Sequence, residues 1–188
     1  RNLRRMGLEV LAVFPAGGSH GQQLRTLLEQ DGLPCLAVPI RAETTRNLAL
    51  TEEDADRQFH LVFPGAPLQE DEWQSCLQAV EQHTPTHGYL VISGSLPGGV
   101  PTDFLARIIR SVKQRDVRVI LDTSGPALHP ALDAGVYLAK LNREEFAELG
   151  YSGAGDVASR LEWMGRLVDD GMADRLIVTL GPDGALLA

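Results

Sequence analysis

Short apolar runs alternate with segments of helical periodicity along most of the chain, and this alternation constrains the fold more than any other feature. The runs predicted as strands are residues 8–14, 35–40, 88–93, 117–122, 136–141 and 176–180. Strands that alternate with helices at this spacing predict right-handed βαβ units. The expected fold class is therefore α/β with a mostly parallel sheet.

Apolar residues between these runs recur at intervals of three and four, the spacing of one helical face. The predicted faces are Leu24, Leu27 and Leu28; then Trp73, Cys76, Leu77 and Val80; then Leu105, Ile108, Ile109 and Val112, in a helix capped by Thr102. Further helices are predicted to begin near Pro126, Arg143 and Val157.

Residues 46–51 and 57–63 depart from this pattern. They alternate polar and apolar side chains and are separated by the acidic turn EEDAD. Such segments are typical of an antiparallel hairpin with one solvated face. We expect this hairpin, about residues 44–64, to form a lid at the edge of the sheet.

The formal net charge of −8 argues against a nucleic-acid or anionic-membrane surface, which would need clustered Lys and Arg. No apolar run is long enough for a membrane span, and no signal peptide opens the chain, so a cytoplasmic protein is expected. Cys35 and Cys76 lack the spacing of a metal or redox site, and Cys76 is expected as a buried free thiol.

Both ends of the chain resemble interrupted elements. RNLRRMG resembles the end of a helix, and GALLA stops where a strand is beginning. We expect residues 1–188 to be the central part of one domain whose N- and C-terminal portions are absent.

Five loops carry the residues typical of a ligand site. They are PAGGSHG, SGSLPGG, DTSG, KLNREE and TLGPDG, and all follow predicted strands. Ligands of parallel sheets bind beyond the carboxyl ends of the strands. Neither G-x-x-x-x-G-K-[ST] nor G-x-G-x-x-G after the first strand is present. The loops therefore predict a phosphate or sugar site of another kind, built from local cations and helix N-termini.

The order of these motifs resembles the PfkB branch of the ribokinase-like sugar kinases. The motifs are S-G-S-L-P, L-D-T-S-G, K-x-N-x-x-E and T-L-G-x-D-G-A, and F-P-A-G-G-x-x-G, T-R-N-L and L-V-F-P-G-A make the sequence most similar to the minor, PfkB-type 6-phosphofructokinases. The resemblance covers essentially the whole chain. It implies a three-layer ribokinase-like domain with a small β-lid, often shared across a homodimer, and transfer of the ATP γ-phosphate to a sugar phosphate.

The resemblance also implies roles for individual residues. Arg46 and Ser95 would bind the sugar phosphate; Lys140 and Asn142 would face the ATP phosphates; Thr179, Gly181 and Gly184 would line the nucleotide pocket; Glu145 would act on Mg²⁺ through water. The chain departs from the family at Pro97-Gly98-Gly99, Lys140-Leu141-Asn142 and His60, where the family has P-P-G, K-P-N and an arginine. The change at His60 concerns the sugar contact across subunits.

Purely structural interpretations stand beside these roles. Asn142 and Glu145 have the spacing of a capping box, which needs no metal. Arg46 could be a solvated strand residue, Ser95 could close a turn, and G-P-D-G suits a hairpin turn. Asp122 ends a strand and could cap or serve the site. Lys140, at the end of an apolar strand, needs an anionic partner.

The segment YSGAGDVAS, residues 151–159, contains a G-A-G-D tetrad. In the PfkB-type kinases that this sequence resembles, such a tetrad forms an anion hole and supplies the catalytic base. In that family the tetrad follows T-L-G-x-D-G, whereas here it precedes that motif. We therefore predict that Asp156 is an N-cap and not the base, which we expect beyond Ala188.

The sequence thus predicts an ATP- and Mg²⁺-dependent kinase, most similar to those acting on fructose 6-phosphate. Fructose 1-phosphate and tagatose 6-phosphate remain alternative substrates. A protein that binds a sugar phosphate or nucleotide without catalysis is the alternative from another class. The fragment itself is expected to be inactive, because it lacks the base.

Overall fold

The structure is a computed structural model that describes residues 2–52, 57–152 and 156–188. The chain divides into two compact units. The first contains Arg1–Val80 and Pro97–Val100, and the second contains Glu81–Leu96 and Pro101–Ala188. Each unit has strands and helices of its own.

In the first unit, a short parallel sheet precedes the hairpin. Its elements are α1 (Asn2–Arg5), β1 (Ala12–Ala16), α2 (Gly18–Gln30), β2 (Cys35–Pro39), β3 (Leu48–Glu52), β4 (Arg57–Leu61) and α3 (Glu70–His83), the last three residues of α3 belonging to the second unit. β1 pairs with β2 from Ala12↔Cys35 onward. The strand predicted to start at residue 8 therefore starts at Ala12, where its partner begins, and Leu8 and Leu11 are exposed.

The hairpin of the first unit is antiparallel, as predicted, with Leu48 opposite Leu61. The prediction of one solvated face is wrong, because every residue of β3 and β4 is exposed. Arg46 lies two residues before β3, in the segment that enters the hairpin. Residues 53–56 of the predicted EEDAD turn lie outside the described residues.

The helices of the first unit differ in how well the apolar pattern predicts burial. Trp73 and Cys76 of α3 are buried, and burial raises the pKa of the Cys76 thiol, so the prediction of a buried free thiol is confirmed. By contrast, Leu24 and Leu27 of α2 are exposed, although the helix forms where the periodicity places it.

The second unit is organised around a five-stranded sheet in the order β5 (His87–Ser93), β6 (Asp116–Asp122), β7 (Val136–Leu141), β8 (Ala173–Thr179) and β9 (Ala185–Leu187). β5 to β8 are parallel and β9 runs antiparallel to β8. Its helices are α4 (Phe104–Val112), α5 (Leu128–Asp133), α6 (Arg143–Glu148) and α7 (Val157–Asp169), with 3-10 turns at Gly125–Ala127 and Gly181–Asp183. The predicted mostly parallel sheet is confirmed.

The core of this unit forms under the apolar face of α4. Leu105, Ile108, Ile109 and Val112 are at most 4% exposed, as their spacing predicts. Burying a side chain of this size contributes about 1.5–3 kcal/mol. Thr102 does not cap α4: the helix begins at Phe104, whose N–H donates to Pro101 O, because a turn at Pro101 enters it. Among the described residues, no helix has both the length and the apolar character needed to cross a membrane.

Candidate active site

The loops after β5, β6, β7 and β8 form one edge of the second unit's sheet, which we call the loop rim (residues 93–95, 122–124, 140–142 and 179–184). Because these strands are parallel, their carboxyl ends share that edge. Gly94 N donates to Asp122 O at 2.9 Å, and the buried Thr123 hydroxyl donates to Gly94 O at 2.9 Å. These bonds fix the S-G-S loop, with the exposed Ser95, beside the D-T-S loop.

Lys140, near the end of β7, contacts the D-T-S loop that follows β6. Its Nζ lies 3.1 Å from Asp122 Oδ1, and the two side chains are 37% and 42% exposed. The anionic partner that the apolar strand requires is therefore a carboxylate of this chain. The ammonium remains partly open to solvent, so it can also attract a phosphate placed over the loop rim.

Asn142 and Glu145 form the capping box that the structural interpretation predicts. Glu145 N donates to Asn142 Oδ1 at 2.8 Å, and Asn142 N donates to Glu145 Oε2 at 2.8 Å. Glu145 is only 8% exposed. The box satisfies two backbone donors of α6 and fixes both side chains at the loop rim. The roles of these residues toward ATP and Mg²⁺ remain predictions.

The loop after β8 is held by its backbone and by one side chain of α6. Thr179 Oγ1 donates to Leu141 O at 3.2 Å, and Leu180 N donates to Gly184 O at 2.7 Å. Gly184 has φ +94° and ψ −141°, a backbone conformation that residues other than glycine rarely adopt. Arg143 reaches this loop from α6, donating to Leu180 O and pairing with Asp183.

Sequence reasoning missed the part played by Arg143 and Asp183. Both residues lie inside motifs that the sequence analysis singled out, K-x-N-x-x-E and T-L-G-x-D-G-A. Their opposite charges were the available signal. A pair separated by 40 positions becomes apparent only once the two loops are placed side by side.

The first unit contains the remaining predicted site residue. Arg46 is exposed and lines an open groove of about 470 Å³ with neighbours from the glycine turn, the hairpin entry and the hairpin exit. The lining residues are His20, Glu43, Thr44, Thr45, Arg46, Leu48, Phe63, Pro64, Gly65 and Ala66. The groove is large enough for a small phosphorylated molecule.

The glycine turn PAGGSHG is occupied by a carboxylate of the chain itself. Glu43 Oε1 accepts from His20 N at 2.6 Å and from the Ser19 hydroxyl at 3.1 Å, at the N-terminus of α2. The hydrogen bond from His20 N–H lowers the pKa of Glu43. The turn was predicted as part of a phosphate or sugar site. In the structure, its amides fix the segment that leads to Arg46.

Close packing explains one glycine of this turn. A Cβ on Gly17 would lie 2.0 Å from Ala42 O and 2.4 Å from Ile40 O, and Gly17 N donates to Thr44 Oγ1 at 2.9 Å. No side chain fits this approach of two backbones. The hairpin entry is therefore attached to the glycine turn on both sides of Glu43.

Asp156 has the geometry of an N-cap, as predicted. It has extended backbone, and its Oδ1 accepts from Ser159 N at 2.6 Å at the start of α7. Hydrogen bonding from the Ser159 side chain, and then from its backbone N–H, lowers the pKa of the Asp156 carboxyl. The preceding Gly153, Ala154 and Gly155 lie outside the described residues. The observed cap gives Asp156 a structural role, and its exclusion as the base remains a prediction.

Comparison with known proteins identifies the family. Residues 1–188 match the model of the pfkB family of carbohydrate kinases. The chain belongs to the pfkB family. It is similar to the ATP-dependent 6-phosphofructokinase isozyme 2 of Escherichia coli K12, with 36% identity over 190 residues covering 99% of this chain and 60% of the relative. It is also similar to the 1-phosphofructokinase of Bacillus subtilis 168, with 28% identity over 187 residues covering 100% of this chain and 60% of that relative.

A solved structure described as the tetrameric inhibited form of Escherichia coli phosphofructokinase-2 superposes with a TM-score of 0.90, at 35% identity, covering 99% of this chain and 61% of that one. The ribokinase-like α/β fold predicted from the sequence is thus confirmed. The pfkB-family chain spans about 60% of the length of these relatives.

Within the pfkB fold, the predicted site residues fall into two sets. Arg46 lies in the groove of the first unit. The others lie on the loops at the sheet edge of the second unit or directly after them: Ser95, Lys140, Asn142, Glu145, Thr179, Gly181 and Gly184. Hydrogen bonds and the Lys140–Asp122 ion pair link the four neighbouring loops that carry the residues of the second unit. This set provides a cation, hydroxyls and glycine turns, the groups with which proteins bind nucleotide phosphates.

Proposed function

We propose that the full-length protein that carries this chain transfers the γ-phosphoryl group of ATP to a hydroxyl of a sugar phosphate, with fructose 6-phosphate as the substrate. The observation that carries this proposal is the loop rim, where Lys140 lies among four hydrogen-bonded loops. Membership of a carbohydrate kinase family supports it. ATP and phosphorylated sugars are cytoplasmic metabolites, so we place the protein in the cytoplasm.

On the nucleotide side, Lys140 supplies a point charge to the ATP phosphates, and Asn142 faces them from the start of α6. The loop of Thr179, Gly181 and Gly184 receives the nucleotide, because glycine backbone allows close approach. Phosphoryl transfer requires positioning and charge stabilisation more than covalent chemistry. A cation held at 3.1 Å from Asp122 is already placed before ATP arrives, so little reorganisation is required.

Mg²⁺ fits this arrangement through water. Within the described ranges, no three His, Cys, Asp or Glu side chains are grouped closely enough to hold a metal ion directly. Mg²⁺ keeps several of its waters when it binds beside nucleotide phosphates. Glu145, fixed by the capping box, is the carboxylate that would accept hydrogen bonds from those waters, and the ion would neutralise phosphate charge.

On the sugar side, Arg46 and Ser95 bind the sugar phosphate. A guanidinium binds phosphate through two parallel hydrogen bonds, and Arg46 is exposed to do so. The hairpin acts as the lid, and we propose that two copies of the protein associate through it. Its exposed Leu48, Leu50 and Phe59 support such a contact. The base that takes the hydroxyl proton lies beyond Ala188 in this proposal.

A coupled assay of the full-length protein with ATP tests the proposal. Fructose 6-phosphate, fructose 1-phosphate and tagatose 6-phosphate are compared at equal concentrations. The proposal expects the highest kcat/KM with fructose 6-phosphate. A higher value with one of the other sugars would change the substrate and keep the kinase, whereas negligible transfer to all three would remove the substrate assignment.

The alternative of a non-catalytic sensor rests on the prediction that Asp156 is an N-cap and not the base, which its cap geometry supports. A sensor would be stabilised against heat by sugar phosphate or nucleotide without any transfer. Reading the gene downstream of Ala188 separates the two. A second G-A-G-D after a strand supports the kinase, and its absence supports the sensor.

A further inference from the structure

The loop that we assign to the nucleotide is held by a side chain that no motif assigns a role. We propose that Arg143 and Asp183 form a latch that positions the loop of residues 180–184 for ATP, so that Arg143 is a positioning residue. This inference rests on the proposed function for the identity of the ligand. The latch itself is described by contacts within the second unit.

Arg143 is the first residue of α6 and follows the N-cap Asn142. Its Nη2 donates to Leu180 O at 2.5 Å and also pairs with the carboxylate of Asp183. One guanidinium thus engages the loop at its backbone and at a side chain. A planar group with several fixed donors suits such a double contact, whereas a lysine offers one point of charge.

The loop needs such a restraint because its two glycines leave its backbone with a wide conformational freedom. Gly181 and Gly184 have φ of +65° and +94°, and glycine loses more conformational freedom on ordering than any other residue. The loop closes on itself through Leu180 N to Gly184 O at 2.7 Å. Arg143 therefore attaches a glycine loop to a helix start that is already fixed by a capping box.

Loss of the Arg143–Asp183 contact should affect the loop of residues 180–184 and not the stability of the whole protein. The Arg143 and Asp183 side chains are 51% and 69% exposed, and exposed ion pairs contribute little to global stability. The latch orders the loop before ATP arrives, so ATP binding does not have to offset the conformational entropy that the loop would otherwise lose on binding. Removing the latch should therefore weaken ATP binding and leave the melting temperature and the sugar-phosphate affinity nearly unchanged.

The chain offers a matched control on α7. Arg166 pairs with Glu162 at 2.6 Å, and the two side chains are 59% and 69% exposed. This pair has the same chemistry and a similar exposure, and it lies within one helix rather than between loops. Arg166→Ala should leave all kinetic constants within about twofold, as expected for a surface substitution.

The experiment compares Arg143→Ala, Arg143→Lys, Asp183→Ala and the Arg143→Ala/Asp183→Ala double variant in the full-length protein. We expect Arg143→Ala to raise the KM for ATP by about fivefold to tenfold, with the KM for sugar phosphate within twofold. Arg143→Lys should recover part of the loss. Asp183→Ala should raise the KM for ATP by a smaller factor, and the double variant should equal Arg143→Ala, because residues that act as one unit are not additive.

Asp183→Ala separates a latch from a direct contact. If Arg143 instead bound ATP itself, removal of Asp183 would free the guanidinium and leave the KM for ATP unchanged or lower. That result would overturn the proposal. An unchanged KM in Arg143→Ala, or equal increases in the KM for both substrates, would overturn it as well.

Hydrogen exchange without nucleotide separates failure of the latch from failure of the proposed function. The latch predicts faster exchange at the Leu180 and Gly184 amides in Arg143→Ala and no change in Arg166→Ala. If the wild-type protein neither binds nor uses ATP, the proposed function fails, and the link between latch and nucleotide fails with it. Unchanged exchange in Arg143→Ala would overturn the latch whatever the kinetics show.

Discussion

Substitution of Asp156 distinguishes a helix cap from a catalytic base. Asp156→Asn keeps an oxygen that can accept the 2.6 Å hydrogen bond from Ser159 N, and Asn is as good an N-cap as Asp. Asn cannot take a proton from an attacking hydroxyl, and general base catalysis contributes about 10²–10⁴-fold. If Asp156 only caps α7, kcat of the full-length protein should stay within about threefold.

Asp156→Ala and the pH dependence of stability complete this test. Alanine removes the acceptor, so Asp156→Ala should lower the melting temperature by about 2–4 °C, whereas Asp156→Asn should lower it by less. Hydrogen bonding from the Ser159 side chain, and then from its backbone N–H, lowers the pKa of Asp156 in the folded state. Its contribution to stability is therefore present above the ordinary pKa of aspartate and is lost as the pH falls through the lowered value. The Asn variant should lack this acid-dependent loss.

The assays are steady-state kinetics with ATP and fructose 6-phosphate and thermal unfolding between pH 3 and pH 7. A fall in kcat of about 10³-fold in Asp156→Asn, with an unchanged melting temperature, would refute the cap as the sole role. It would make the G-A-G-D of this loop the catalytic tetrad. An unchanged melting temperature in Asp156→Ala would show that the cap contributes nothing to the fold.

Three further predictions follow from the other parts of the site. Lys140→Met keeps the length of the side chain and removes its charge, so kcat should fall by about 100-fold or more with little change in melting temperature, and a kcat within threefold would contradict the role of Lys140. Glu43 has a lowered pKa in the folded state, so the stability it contributes is present above the ordinary pKa of glutamate and is lost as the pH falls through the lowered value. Glu43→Gln should therefore flatten the pH dependence of the melting temperature in this range, and an unchanged pH dependence would contradict the stabilising role of the Glu43 carboxylate. Gly17→Ala would place a Cβ 2.0 Å from Ala42 O and should raise the KM for the sugar phosphate and lower the melting temperature. Gly165→Ala in α7, whose new Cβ would meet no atom within 4 Å beyond its chain neighbours and its own helix backbone, should be neutral or stabilising, and equal behaviour of the two variants would contradict the role of the close approach at Gly17.

The parts of the fold that depend on local sequence could be predicted closely. β7 spans Val136–Leu141, as the apolar run predicts, and α7 begins at Val157 directly after its cap. The start of β1 could not be predicted in this way. The run of residues 8–14 is apolar at every position except Glu9, and only the register with Cys35 determines that pairing starts at Ala12. Apolar spacing also predicts a helix over α2 but not whether Leu24 and Leu27 are covered.

The candidate site was predictable as a set of loops but not as a set of contacts. Glycines, hydroxyls and Lys140 after successive strands indicate the loop rim, because parallel strands end at one edge. The carboxylates that fix the loops are not visible in the same way. Glu43 reaches His20 across 23 positions and Arg143 reaches Asp183 across 40, and neither spacing is periodic. Such pairs are determined by tertiary folding, which a single sequence does not display.

The most direct test of the account is a crystal structure of the full-length protein with fructose 6-phosphate and a non-hydrolysable ATP analogue. We predict that the analogue lies on the loop rim, with its phosphates at Lys140 and its nucleoside against Gly181 and Gly184, and that Arg46 and Ser95 bind the sugar phosphate. A nucleotide bound elsewhere, or a sugar phosphate without contact to Arg46, would contradict the proposed kinase site.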